Sequence, residues 1–198
     1  MKFLLYACIL IANANTPFWK QKEAVYQRIV EDRAIIVSAN ITSENEQKHL
    51  AIVSAGHIKT PLKFTWKKLL DFKHYDQITD HFKDVDYNPK KQELFINVGA
   101  LGYYAGLWLK LNPSEGSAKN TLAWKCYRGA FKGMNGTLTI EKYGIKVTEI
   151  SMQADFTGKS VPIPDILLRF GLELIGKQMA SKMRNYIEDS YKNDTSVD

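Results

Sequence analysis

A chain of 198 residues that is 45% hydrophobic and 24% charged is long enough for one domain with its own core, and only the final KNDTSVD has the low apolar content of disorder. The formal net charge of +6 is scattered instead of being gathered into a basic stripe with interleaved aromatics, which argues against nucleic acid as a partner. Such a balance favours transient contact with an anionic membrane surface.

The first residues, MKFLLYACILIANA, put a lysine before an apolar run and end on Ala12-Asn13-Ala14, a small-x-small cleavage pattern. Residues 1–14 are therefore expected to be a signal peptide, because the apolar run is well short of the roughly 20 residues a spanning helix needs. The protein is expected to be exported, either periplasmic or secreted. Cleavage leaves Cys126 as the single cysteine, so no intramolecular disulfide is expected. Residues 15–32 follow as an N-terminal extension, 33–191 as the domain, and 192–198 as a disordered tail.

Within the domain, AIIVSANIT and HLAIVSAGHI flank the polar SENEQK and predict an antiparallel pair. Thr60-Pro61 offers an N-cap and a proline at the first helical position, and PLKFTWKKLLDF sets Leu62, Trp66, Leu69 and Leu70 on one stripe. A short helix is expected around KHYDQI. The period then falls to two: HFKDVDY, QELFINVGAL, YYAGLWLKL, TLAWKCYRGA, GTLTIEKY and IKVTEISMQADF read as strands separated by turn residues.

From Pro164 to about Tyr191 the pattern predicts one helix, roughly 40 Å long. Leu167, Leu168, Gly171, Leu172, Ile175, Met179, Met183 and Tyr186 fall in one arc, with Arg169, Glu173, Lys177 and Arg184 opposite. The two glycines inside this helix each cost roughly 1 kcal/mol against alanine. Gly171, within the arc, is expected to leave a hole beneath the helix. Gly176, at its edge, is expected to let a neighbouring segment approach closely.

This order of elements resembles the helix-grip architecture of the START and birch-pollen-allergen superfamily. AGHIKTPLKFTWKKLLDFKHYDQI is similar to the superfamily's opening, with Pro61, Trp66, Asp71 and Tyr75 in its pattern. FKGMNGTLTIE and VPIPDILLRFGLELIGKQMASKMRNYIE resemble the ending of the polyketide-cyclase and coenzyme Q-binding branch. The resemblance covers about residues 33–190. It implies an α+β helix-grip fold in which a curved antiparallel sheet of about seven strands wraps the long C-terminal helix. It also implies an internal cavity for a lipid, quinone or polyketide-like ligand, held by a carrier or sensor.

The aromatic and small residues of the middle strands support that cavity independently, because aromatic walls with a few polar groups orient an amphipathic molecule. The residues expected to line it are Trp66, Asn97, Tyr104, Trp108, Trp124, Arg128, Gly171 and Ile175. Strand alternation puts Arg128 on the face of Leu122, Trp124 and Cys126, where it would meet an anionic headgroup or Glu149. Loops around Gly102 and Pro113 are expected to govern access.

Candidate chemistry is sparse. GKS at 158–160 lacks the first glycine of a phosphate loop, which would fall at Gln153. DVDYN at 84–88 has Pro89 and Phe95 where a calcium loop needs glycine and a bidentate acid. Cys126 reads as inert packing, and His49, His57, His74 and His81 are too spread for a local metal pattern. No catalytic residue, metal or cofactor is expected. The alternatives are a cyclase or aromatase using a pocket acid or His as general base, and an interaction module whose core is filled by its own rings.

Overall fold

The opening pair and the six period-two segments form eight strands among the described residues: β1 (Ile36–Glu44), β2 (Gln47–Ile58), β3 (Phe82–Asn88), β4 (Glu93–Ala100), β5 (Tyr103–Ser114), β6 (Lys119–Gly129), β7 (Asn135–Lys142) and β8 (Thr148–Lys159). The computed structural model describes residues 17–45, 47–100, 103–159 and 164–195; the expected signal peptide and Gly102 lie outside them. All eight strands join one antiparallel sheet in the order β1-β2-β8-β7-β6-β5-β4-β3. The sheet thus has one strand more than the resemblance implied. The connection from β2 to β3 carries α2 (Leu62–Leu69), a single tight turn at Phe72–His74 and α3 (Tyr75–Ile78).

The start of α2 differs from expectation. Pro61 occupies the cap position without a side-chain cap, while the Thr60 hydroxyl turns inward to bond that of Thr65 at 2.6 Å. Thr148 donates to the Thr60 carbonyl at 2.8 Å, and all three threonines are fully buried. Instead of capping a helix, Thr60 ties α2 to β8.

The last helix, α4 (Asp165–Thr195), has 31 residues and is about 46 Å long at 1.5 Å per residue. It runs past Tyr191 into what was expected to be tail, with Lys192 paired to Asp189 at 2.9 Å. Polar contacts fix it along its length. Asp165 accepts from Ser43 at 2.9 Å and pairs with the buried Lys48 at 2.7 Å, placing an acid in the first turn where the helix dipole favours one. Glu173 accepts from the Ala39 amide at 2.9 Å, so it satisfies an edge-strand donor instead of facing solvent. Gln178 meets His81 at 2.9 Å. Near the end, Glu188 accepts from Arg33 and from the Lys59 amide. Gly176 allows the close approach to β1: a Cβ there would lie 3.1 Å from Val37 Cγ1.

The extension joins the fold on the opposite side of the sheet. Trp19, Ile29 of α1 (Glu23–Val30) and Ala55 of β2 form a small buried cluster of their own. Ala55 points away from α4 because it stands an odd number of residues from Ile58, which packs with Ile187 in the main core.

Candidate functional site

The space between sheet and α4 is packed at its two ends. Ile187 of α4 joins Trp66, Leu69, Phe72 and Ile140 in one cluster, while Leu168 joins Ile41, Leu50, Cys126 and Phe156 in the other. Between them the packing loosens. Ile52, Leu109, Trp124, Leu138 and Met152 face the helix from central strands and yet are only half-buried. On the helix side Ile175 and Met179 are half-buried and belong to neither cluster. Gly171 is buried, but a Cβ built on it would meet nothing within 4 Å among the described residues. Native interiors are close-packed, so apolar side chains that remain reachable beneath a helix mark unfilled space.

Trp124 bridges both clusters from the sheet floor. Its indole has room because Gly136 stands opposite it on β7; a Cβ there would come within 2.5 Å of the ring. At the α2 end, Trp66 is 4% exposed and part of the core, and its indole N–H has no hydrogen-bond partner among the described residues. Outside it lies a cleft in two lobes, of about 410 Å³ towards Ser117, Asn120 and Lys142 and about 630 Å³ along Phe64, Lys67 and Leu70. Pro61, Lys63, Trp66 and Glu115 border both lobes.

Of the residues expected to line the cavity, Trp66, Trp124, Gly171 and Ile175 lie on the helix side of the sheet or on α4. Asn97, Tyr104, Trp108 and Arg128 lie on the other face, which corrects the expectation that they face the cavity. Leu94 and Leu111 point into the core, so alternation turns Phe95 and Asn97 of β4, and Tyr104 and Trp108 of β5, outward. Asn97 donates to Asp84 at 3.4 Å and Tyr104 is 63% exposed. For Arg128 the cause is a β-bulge: Leu109 pairs with Cys126 but Trp108 with Arg128, leaving Tyr127 as an extra residue that reverses the side chains beyond it. The Arg128 guanidinium stacks 4.6 Å from the Trp108 ring centre, and Trp108 packs on Phe95. Leu167 is likewise outside, at 59% exposure, and Pro113 is part of β5, not of a loop.

Glu149 has other partners. It lies opposite His57 in the β2–β8 register, on the face covered by the extension, with His57 Nε2 at 3.5 Å and Lys20 Nζ at 2.7 Å. Burial pushes its carboxyl up, but hydrogen bonds from His57 and Lys20 outweigh this and hold it below its ordinary value. Tyr143 stacks on His57 with centroids 4.3 Å apart. Burial and a hydrogen bond with Tyr143 raise the Tyr26 phenol to about 12. Sequence spacing gave no sign of this cluster, since 92 residues separate His57 from Glu149 and Lys20 comes from the extension. Cys126 is 1% exposed and burial pushes its thiol up, against hydrogen bonds that lower it. Among the described residues no three His, Cys, Asp or Glu side chains gather as a metal site.

No family model and no curated protein matches the chain. Solved structures do. A START superfamily protein from Mycobacterium smegmatis aligns with a TM-score of 0.57 at 12% identity, covering 70% of this chain and 97% of its own. The chain has the helix-grip fold of the START superfamily. The same fold relates it to the Zhui aromatase/cyclase of a Streptomyces species, with a TM-score of 0.58 at 12% identity over 74% of this chain and 96% of that one. It also relates it to a STAR-related lipid transfer protein from Xanthomonas axonopodis, with a TM-score of 0.56 at 10% identity over 76% and 98%. In this helix-grip chain α4 is the gripped helix, and the loosely filled middle lies directly beneath it.

Proposed function

We propose that the protein binds an apolar or amphipathic small molecule, a lipid, quinone or polyketide-like compound, between the sheet and α4, as a carrier or sensor. The observation that carries this reading is the empty space beneath the buried Gly171, continued by the half-buried Trp124, Leu109 and Ile175. A pocket with apolar walls and few polar groups suits a molecule that is mostly hydrocarbon. The fold relatives include a lipid transfer protein and an aromatase/cyclase. Of these two the carrier reading is favoured, because the one buried acid–histidine pair among the described residues, Glu149 and His57, points away from this space and cannot act as a general base within it.

The reading is tested by titrating the full chain with a fluorescent fatty-acid analogue. Saturable one-to-one uptake that falls when Trp124→Arg places a charge in the space supports it. Absence of uptake by the folded wild type sinks it. Export is part of the same proposal and rests on the leader-like pattern of residues 1–14. N-terminal sequencing of the protein recovered from its native cells tests that part: a chain beginning at or near Asn15 supports export, and an intact leader on cytoplasmic protein contradicts it.

A further inference from the structure

The N-terminal half of α4 is apolar on two opposite sides, and the fold covers only one. Leu168 and Leu172 pack into the core, while Ile166, Leu167, Phe170 and Leu174 are 77%, 59%, 62% and 37% exposed. At 100° per residue the four exposed side chains share an arc of about 100°, centred roughly 160° from the buried arc. Single exposed apolar residues are ordinary, but four contiguous ones on a helix mark a contact surface.

The charges around this stripe are not balanced. Its two nearest acids are already engaged, Asp165 with Lys48 and Ser43 and Glu173 with the Ala39 amide. The cations Arg169 and Lys177 are exposed on the same turns. The helix cannot span a bilayer: no helix of the described residues is long and apolar enough. An apolar stripe bordered by cations suits a helix lying in the plane of an anionic interface. A second copy of the chain would carry the same exposed cations, Arg169 and Lys177, and so would not supply the negative charge that they call for.

We propose that the first half of α4 docks on an anionic lipid surface, with Ile166, Leu167, Phe170 and Leu174 entering the headgroup layer and Arg169 and Lys177 meeting lipid phosphates. This surface faces away from the interior, so docking is independent of whether the interior holds a ligand.

The experiment is flotation of the full chain with vesicles of phosphatidylcholine, alone or mixed with phosphatidylglycerol. Wild type is expected to float with the mixed vesicles, weakly with neutral ones, and to be released by salt. R169Q and K177Q should each weaken partitioning roughly fivefold, and the double variant F170E/L174E should abolish it. All these side chains are exposed, and circular dichroism confirms that the variants remain folded. The proposal is overturned if wild type ignores both vesicle types, or if it binds and neither set of variants changes the partition. It is also overturned if wild type is a dimer that F170E/L174E dissociates, which would make a second copy the occupant.

Discussion

The Trp124 indole covers Gly136 on the floor of the sheet, and a Cβ on that glycine would lie 2.5 Å from the ring and 2.7 Å from the Gln153 carbonyl oxygen. The carbonyl is backbone and cannot yield cheaply, even where the half-buried ring swings towards the space beneath α4. Gly136→Ala is expected to destabilise by about 1–3 kcal/mol through overpacking and to shift tryptophan emission. Gly144→Ala is the control: its Cβ would meet only Val147 Cβ at 3.8 Å, and its effect should stay within about 0.5 kcal/mol. Urea unfolding of both variants checks the contrast.

Gly171 and Gly176 should respond oppositely to enlargement. Gly171→Leu points into open space and gains helix propensity of up to about 1 kcal/mol, so its thermal midpoint should hold or rise while uptake of an apolar probe falls. Gly176→Leu presses on Val37 and should lower the midpoint with little direct effect on uptake. A Gly171→Leu protein that binds the probe as wild type does would remove this glycine from the site.

The Glu149 carboxylate predicts a dependence on acid. Its folded pKa lies below the ordinary 4.5, so the folded state holds its proton less tightly than the unfolded state. The stabilisation is fully present above about pH 4.5 and is lost as pH falls through the depressed folded value. Glu149→Gln should lower stability at neutral pH and flatten the acid limb of a stability–pH curve measured by urea melts. An unchanged acid limb would mean that the Lys20–Glu149–His57 contacts do not anchor the extension.

Cys126 should be inert. With 1% exposure and a thiol raised by burial, it is expected to react with a thiol reagent at neutral pH only on unfolding. The measurement is labelling with and without denaturant, and rapid native labelling would contradict the packing described for β6.

All eight strands and the helices of the domain were legible, because period two and period 3.6 are local properties of the chain. The placements of Gly171 over open space and of Gly176 against Val37 were legible for the same reason, as each sits at a definable angle on α4. Facing was less legible. Arg128 follows Leu122, Trp124 and Cys126 in perfect alternation, but one unpaired residue, Tyr127, turns it to the other side. Trp108 and Tyr104 look like cavity aromatics by composition, yet nothing in a strand of mixed residues states which face the helix will cover. Leu167 belongs to an apolar stretch wide enough for two faces, so the arc alone could not assign it. The contacts of Glu149 depend on β2 inserting beside β8, a long-range pairing that local pattern does not encode.

The measurement that bears most directly on the central claim is native mass spectrometry of the chain purified from a cell extract, followed by organic extraction of whatever it carries. The account predicts a stoichiometric apolar passenger, released by solvent and reduced in Gly171→Leu. Protein that is repeatedly empty and also ignores apolar probes would contradict it, and would leave the loose packing beneath α4 as unoccupied space with no ligand role.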